Sequence, residues 1–162
     1  MDPVEQAVVF VHIVAAVVWI GGMVFLAAVG PALRKLYEPS SAPLFRTMAL
    51  RFRDISWVAV VALIGTGIAN LALLGAFRDL RGFFAANPLL AGKIAVVALM
   101  VAVKGVHDFI VGPRASLARD ANPVTASRFP VWRAAMALGR LNLALGLFVL
   151  YLSVGIAHAG GT

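Results

Sequence analysis

One apolar run constrains the fold of this chain more than any other feature. Residues 7–23, AVVFVHIVAAVVWIGGM, contain no charged residue and one histidine, His12. With its apolar flanks the run is as long as the ~20 residues that an α-helix needs to cross ~30 Å of hydrocarbon. An imidazole at that depth loses its hydration, so it usually faces a bundle interior and serves a ligand, a proton path or a partner. The run therefore predicts a membrane-spanning helix that carries a site.

Helical periodicity places two further side chains on the same face as His12. At about 100° per residue, Trp19 and Met23 fall within roughly 20° of His12. Small residues on this helix allow its neighbours to approach closely: Ala15, Ala16, Gly21 and Gly22.

The composition excludes most soluble classes of protein. The chain has 162 residues, of which 62% are hydrophobic and 13% charged, and its mean hydropathy is +0.95, so it is expected to be an integral membrane protein. The net charge of +7 does not predict nucleic-acid binding, because the basic residues lie mainly between apolar segments, where they set topology and meet anionic lipids. Without cysteines, the available metal ligands are imidazole, amine, thioether and carboxylate.

The hydropathy pattern predicts an all-α fold, a four-helix membrane bundle in a single transmembrane domain over residues 1–162. The expected spans are about 4–28, 54–76, 88–112 and 136–158. Nine basic residues lie in or near the first and third connections, against Arg78 and Arg81 in the second. Since Lys and Arg accumulate on the cytoplasmic side, both termini are expected to be periplasmic, in a bacterial inner membrane. The acidic N-terminus has no basic n-region, so no cleaved signal peptide is expected.

Glycine and proline pairs predict the helix boundaries. Gly30-Pro31 and Gly112-Pro113 are expected to end the first and third helices, Asn87-Pro88 to open the third, and Phe129-Pro130 to precede the fourth. The tripeptide VGP occurs at 29–31 and 111–113, an offset of 82 residues that also carries 54–76 onto 136–158. This offset suggests two helical hairpins related by a pseudo-twofold axis, with position 94 equivalent to His12.

Polar side chains are expected at one depth in the outer half of the bundle. At 1.5 Å per residue, His12, Asn70 and Lys93 lie roughly 8–12 Å from the outer ends of their helices. His158 closes the fourth helix near the same face. Snorkelling of Lys93 and an interhelical hydrogen bond of Asn70 are the structural alternatives. The imidazole of His12 is too short and too deep to snorkel.

The third helix carries a polar stripe that should face the bundle interior. Lys93, Met100, Lys104 and His107 fall within roughly 60° around this helix. Asp108 stands four residues after Lys104, so an ion pair between them is the structural explanation for the inner part of the stripe.

Haem is the first cofactor to consider for histidines and a lysine inside an apolar bundle, because its iron accepts an axial imidazole and a second nitrogen ligand. Copper is the alternative, bound by the same histidines without haem, although no Met-x-Met or His-x-His cluster occurs. Zinc hydrolysis is disfavoured, because the chain has no His-Glu-x-x-His motif and no paired carboxylates.

The sequence also resembles a known group of membrane proteins. HIVAAVVWIGGMVF is similar to the His-(six residues)-Trp-x-Gly-Gly opening of the small copper-resistance D (CopD) family, and LLAGKIAVVALMVAVKGVHDFIVGPR is similar to its Gly-Lys third helix. HemJ-type protoporphyrinogen oxidases share the four-helix plan and the His-to-Trp spacing. The resemblance implies His12 as axial ligand of a b-type haem, Trp19 beside the pocket, and Lys93 as second ligand or substrate contact.

These observations give one leading functional hypothesis and two alternatives. The first is a b-type haem redox protein, an oxidoreductase if HemJ-like, that acts on a porphyrin or quinone, with Lys93 as catalytic residue. His12, Trp19, Asn70, Lys93 and His107 are then the cofactor-binding candidates, and the metal-ligand candidates are His12, Lys93, His107 and His158. A copper-handling protein and a structural assembly factor are the alternatives. The expected partners are the lipid bilayer, a porphyrin or quinone, and further copies of the chain.

Overall fold

The computed structural model describes residues 2–36, 42–121 and 129–159, and the side chains of residues 2–30, 46–118 and 129–156 within them. Every regular element in this part of the chain is helical. Six helices are named in chain order: α1 (Pro3–Leu36), α2 (Ala42–Leu73), α3 (Leu80–Ala86), α4 (Pro88–Gly105), α5 (Gly112–Ala121) and α6 (Pro130–Ala159). A π-helix, Val106–Val111, joins α4 to α5 without a break.

The long helices form the all-α four-helix bundle that the hydropathy pattern predicts. Among the described residues, four stretches are long and apolar enough to cross a membrane: Pro3–Gly30, Arg46–Leu73, Pro88–Ala118 and Pro130–Ile156. Only 11–17% of the residues in their most apolar windows are buried. The outer surface of the bundle is therefore largely apolar, and its exposure to water would be unfavourable. The chain is therefore a multi-pass membrane protein whose environment is a lipid bilayer.

The helices pack as two antiparallel hairpins. α1 packs along α2, α4 packs along α6, and α6 also contacts α1, α5 and the π-helix. The start of α1 and the end of α6 lie at one end of the bundle, which we call the terminal end. This pairing agrees with the hairpins expected from the VGP offset, while the symmetry between them stays a prediction.

A layer of apolar side chains fills the middle of the bundle. Its buried members come from all four long helices: Ala15, Trp19, Ala59, Val60, Met100 and Val149. Trp19 is 2% exposed and Met100 is 1% exposed, as expected for the interior faces of the first and third helices. α1 and α2 come especially close at Gly22, where the ring of Phe52 occupies the space that a Cβ would need.

Several predicted helix boundaries are wrong. α2 begins at Ala42 and α6 at Pro130, so the second and fourth helices start 12 and 6 residues before the predicted positions 54 and 136. Three of the nine basic residues counted with the first and third connections lie on α2: Arg46, Arg51 and Arg53. A helix can extend beyond the hydrocarbon region of the bilayer when its terminal turns carry long basic side chains, because these reach the polar interface. The prediction that Asn87-Pro88 opens the third helix is confirmed.

Neither Gly-Pro pair ends a helix. α1 continues past Pro31 to Leu36, and Gly112-Pro113 lies inside the continuous helix formed by α4, the π-helix and α5. The Gly112 amide donates to the carbonyl of His107, five residues back. This wider turn changes the backbone register just before Pro113, whose ring would clash with the carbonyl four residues back in a regular α-helix. Near Pro31 the structure shows no such irregular turn.

Candidate functional site

The first group of polar side chains lies in the terminal half of the bundle, around His12. Nδ1 of this imidazole lies 2.8 Å from the hydroxyl oxygen of Thr66 on α2. The Thr66 hydroxyl also lies 2.6 Å from the carbonyl oxygen of Ala62. A carbonyl only accepts, and the Thr66–Ala62 contact is the shorter of the two, so we assign the hydroxyl proton of Thr66 to Ala62 and the Nδ1 proton of His12 to the Thr66 oxygen.

This arrangement fixes the tautomer of His12. With its proton on Nδ1, the neutral imidazole presents an unprotonated Nε2, which is the form that binds a metal ion. Nε2 makes no hydrogen bond within the described residues. Gly67 also lies against the ring: a Cβ at this glycine would stand 3.8 Å from Cε1 of His12. α1 and α2 thus hold the imidazole on one side and leave a nitrogen lone pair available.

Lys93 is the predicted site residue that the structure brings to His12. It lies on the second turn of α4, is half-buried, and is close enough for its charge to act on the imidazole. Its side chain makes no hydrogen bond within the described part of the chain. The structure therefore places an imidazole and an amine from different hairpins in one region, as the shared depth predicts.

The other predicted residues make no hydrogen bond to this pair among the described side chains. Asn70 lies one turn beyond Thr66 on α2, is half-buried, and has no side-chain hydrogen bond among the described residues. Trp19 lies two turns along α1, about 10 Å from the level of His12. The prediction for His158 falls on a side chain outside the described ones. Sequence reasoning missed Thr66, which could have been found by extending the depth comparison to every polar residue of α2.

Two buried polar atoms in the central layer have no partner in the described part of the chain: Nε1 of Trp19 and Oδ1 of Asn142. Trp19 is 2% exposed and Asn142 is 6% exposed. The amide nitrogen of Asn142 donates to the sulfur of Met23 at 3.4 Å, one turn from Trp19. Unpaired buried groups are costly, so such atoms usually meet a water molecule or a ligand.

A second polar group forms around the π-helix, on the side of the central layer away from His12. Lys104 donates to the hydroxyl of Ser56 and to Oδ2 of Asp108, both at 2.7 Å. Trp57 donates to the same carboxylate oxygen at 3.0 Å. The ammonium group of Lys104 lies 5.0 Å from the centre of the Trp57 ring. The expected Lys104–Asp108 ion pair is confirmed, and α2 supplies partners that the sequence did not reveal.

His107 belongs to this second group and not to the region of His12. Its Nδ1 lies 2.8 Å from Oδ1 of Asp108, and fourteen residues, about 20 Å of helix, separate it from Lys93. The described residues contain no cluster of three or more histidine and acidic side chains of the kind that holds a metal ion. A metal ion bound at His12 or His107 would therefore need further ligands from a cofactor such as a porphyrin or, at His12, from Lys93.

The comparisons with known proteins leave the family open. No family model matches the chain, and no solved structure matches it. An uncharacterized protein of Aquifex aeolicus (strain VF5) is 29% identical over 154 residues, which cover 94% of each chain. The likeness therefore spans nearly the whole length of both proteins and brings no assigned activity with it.

Proposed function

We propose that the protein is a membrane redox protein that binds a b-type haem through His12. The observation that carries the proposal is the hydrogen bond from Nδ1 of His12 to Thr66, whose own proton is committed to Ala62. A ligating histidine needs its second nitrogen held by an acceptor in this way. When bound, a haem would supply one-electron transfer.

Lys93 supports the same proposal from the opposite hairpin. An amine beside the imidazole suits either a second axial ligand or a contact to an anionic substrate group, such as a porphyrin carboxylate. The unpaired indole N–H of Trp19 offers a further donor inside the bundle. Gly67 on α2 faces the imidazole without a side chain of its own, and a Cβ there would stand 3.8 Å from Cε1 of His12. In this proposal a porphyrin or quinone exchanges electrons with the protein, and the site lies in the periplasmic half.

Copper handling remains the second candidate for the same residues. The unprotonated Nε2 of His12 would also suit copper. It is the weaker candidate, because the described residues contain no group of three or more histidine and acidic side chains that could complete a copper site around this nitrogen.

The absorption spectrum of the purified protein tests the proposal. Wild-type protein expressed with adequate haem supply should show a Soret band and reducible α and β bands. His12→Ala should lose most of the bound haem, while His107→Ala, which removes an imidazole equally held at Nδ1, should keep it. A colourless protein that contains copper would show that the cofactor is copper and not haem. Full haem content in His12→Ala would remove this histidine from the site.

Lys93 variants separate ligation from snorkelling. Lys93→Met should change the haem spectrum or abolish activity while the protein still inserts and purifies. Lys93→Arg should also fail, because a guanidinium group stays protonated and has no lone pair for iron. A Lys93→Arg protein with the wild-type spectrum would exclude lysine ligation.

A further inference from the structure

α6 carries one exposed stripe that combines basic and apolar side chains. Five exposed residues of this helix fall within roughly 60° around its axis: Arg133, Arg140, Ala144, Leu147 and Tyr151. The basic residues stand at the start of the stripe, and the apolar ones follow towards the terminal end. Because these side chains are exposed on a membrane-spanning helix, the stripe lies against lipid.

Contacts between the helices give the level of Arg140 in the bundle. This residue stands half a turn before Asn142, whose amide nitrogen lies 3.4 Å from the sulfur of Met23 on α1. The residue before Met23 packs against the ring of Phe52 on α2. Arg140 and Arg53 therefore lie near one level, towards the end of the bundle opposite the terminal end.

This level is the boundary between the hydrocarbon and the lipid headgroups. Uncharged runs begin there on both helices, over residues 55–73 of α2 and 141–156 of α6. At 1.5 Å per residue, each run accounts for most of the ~30 Å of hydrocarbon in a bilayer. The start of the stripe on α6 therefore lies where lipid phosphates lie.

The arginines at this boundary differ in their partners. Arg53 donates to Oδ1 of Asp54 from two nitrogens, at 3.0 and 3.1 Å, so the protein supplies its counter-charge. Arg133 and Arg140 make no hydrogen bond or ion pair within the described residues, and α6 has no acidic residue over Pro130–Ala159. About 10 Å of helix separates the two arginines, so both guanidinium groups can reach one headgroup. The start of the stripe has two positive charges and no counter-charge of its own.

We propose that Arg133 and Arg140 bind the phosphate of an anionic phospholipid, whose acyl chain lies along Ala144 and Leu147. Guanidinium groups match phosphate oxygens in charge and in geometry, and basic clusters at this boundary attract anionic headgroups. An open depression of about 590 Å³, lined by both arginines and by Trp132, gives the headgroup space. Phosphatidylcholine fits less well, because its own ammonium group meets two like charges. This site does not depend on the proposed haem.

Native mass spectrometry of the purified protein tests this site. The protein in detergent is titrated with phosphatidylglycerol and, separately, with phosphatidylcholine of the same acyl chains. The wild type should bind the first phosphatidylglycerol roughly tenfold more tightly than phosphatidylcholine. Arg140→Gln should weaken phosphatidylglycerol binding roughly tenfold, the loss of one charge-assisted hydrogen bond, and leave phosphatidylcholine binding nearly unchanged.

Arg53→Gln is the matched control, because it removes the same charge from the same end of the bundle. Since Asp54 already neutralises Arg53, this variant should bind phosphatidylglycerol within about twofold of the wild type. Arg140→Lys keeps the charge without the planar fork and should retain part of the affinity. Thermal unfolding verifies that each variant is folded. If Arg140→Gln is not, Arg133→Gln takes its place and should show the same loss.

A loss that is confined to the Arg133 and Arg140 variants supports the proposal. Equal affinities of the wild type for the two lipids overturn it. Equal losses in Arg53→Gln and Arg140→Gln also overturn it, since overall charge would then explain the attraction. Competition by glycerol 3-phosphate at concentrations that match the lipid would assign the arginines to a soluble phosphate. A dimer that retains no lipid and is lost in Arg140→Gln would assign the stripe to a second copy of the chain.

Discussion

Nδ1 of His12 lies 2.8 Å from the hydroxyl oxygen of Thr66 across the α1–α2 interface, and we assign the imidazole as the donor because the Thr66 proton goes to Ala62. This hydrogen bond fixes the orientation of the half-buried imidazole ring. It fixes which nitrogen carries the proton and which carries the lone pair, and it does so with a neutral partner.

Thr66 variants test this role. Thr66→Val keeps the shape of the side chain and removes the acceptor, so His12 loses its fixed tautomer. Loss of such an outer partner typically weakens metal affinity by about 10–100-fold, which a haem titration of the apoprotein would measure. Thr66→Ser keeps the hydroxyl group and should bind nearly as the wild type does. Equal affinity of the valine and serine variants would contradict the proposed role of the hydroxyl.

The orientation of the bundle can be tested by cysteine labelling. The chain has no native cysteine, so single cysteines at positions 83 and 41, in the second and first connections predicted from the sequence, test the predicted orientation. With both termini periplasmic, an impermeant maleimide added outside the cell should label position 83 and leave position 41 unlabelled until the membrane is opened. The reverse pattern would contradict the orientation predicted from the basic residues and place His12 in the cytoplasmic half.

Gly22 and Gly21 form a matched pair for testing the close contact between α1 and α2. A Cβ at Gly22 would overlap the ring of Phe52, whereas a Cβ at Gly21 meets nothing within 4 Å. Gly22→Ala should therefore lower stability by about 1–3 kcal/mol, the usual cost of overpacking. Gly21→Ala should be neutral or stabilising by up to ~1 kcal/mol, because alanine favours the helix.

Thermal unfolding in a mild detergent measures both glycine variants under one condition. Gly22→Ala together with Phe52→Leu should recover part of the loss, because the smaller side chain vacates the occupied space. Equal stabilities of the Gly21 and Gly22 variants would mean that Phe52 does not limit the approach of the two helices.

The sequence was sufficient to predict what depends on hydropathy and helical periodicity. The four spans follow from apolar length, and the interior positions of Trp19 and Met100 follow from their spacing. The Lys104–Asp108 pair follows from a separation of four residues. Each of these features is local to one helix, so it does not depend on how the helices are rotated against one another.

The missed features depend on contacts between helices or on an irregular backbone. Asn70 and Thr66 lie one turn apart on the same helix, and only the rotation of α2 against α1 decides that Thr66 meets His12. Ser56 and Trp57 reach Lys104 for the same reason. Gly112-Pro113 looked like a helix end because a regular α-helix does not accommodate proline in its interior; the π-helix before it accommodates the ring.

The Lys104–Asp108 pair provides the last prediction, a double-mutant cycle. The two side chains are 6% and 9% exposed and lie 2.7 Å apart, so removing one leaves the other charged and buried. Lys104→Met should destabilise the protein by about 3–5 kcal/mol, since breaking a buried pair costs far more than the pair contributes. Lys104→Met combined with Asp108→Leu should recover most of that loss, because apolar replacements of both partners are often nearly neutral. Thermal unfolding of the four proteins measures the coupling. If the double variant were as unstable as the sum of the singles, the two side chains would act independently, and Asp108 would be held in place by Trp57 and His107 alone.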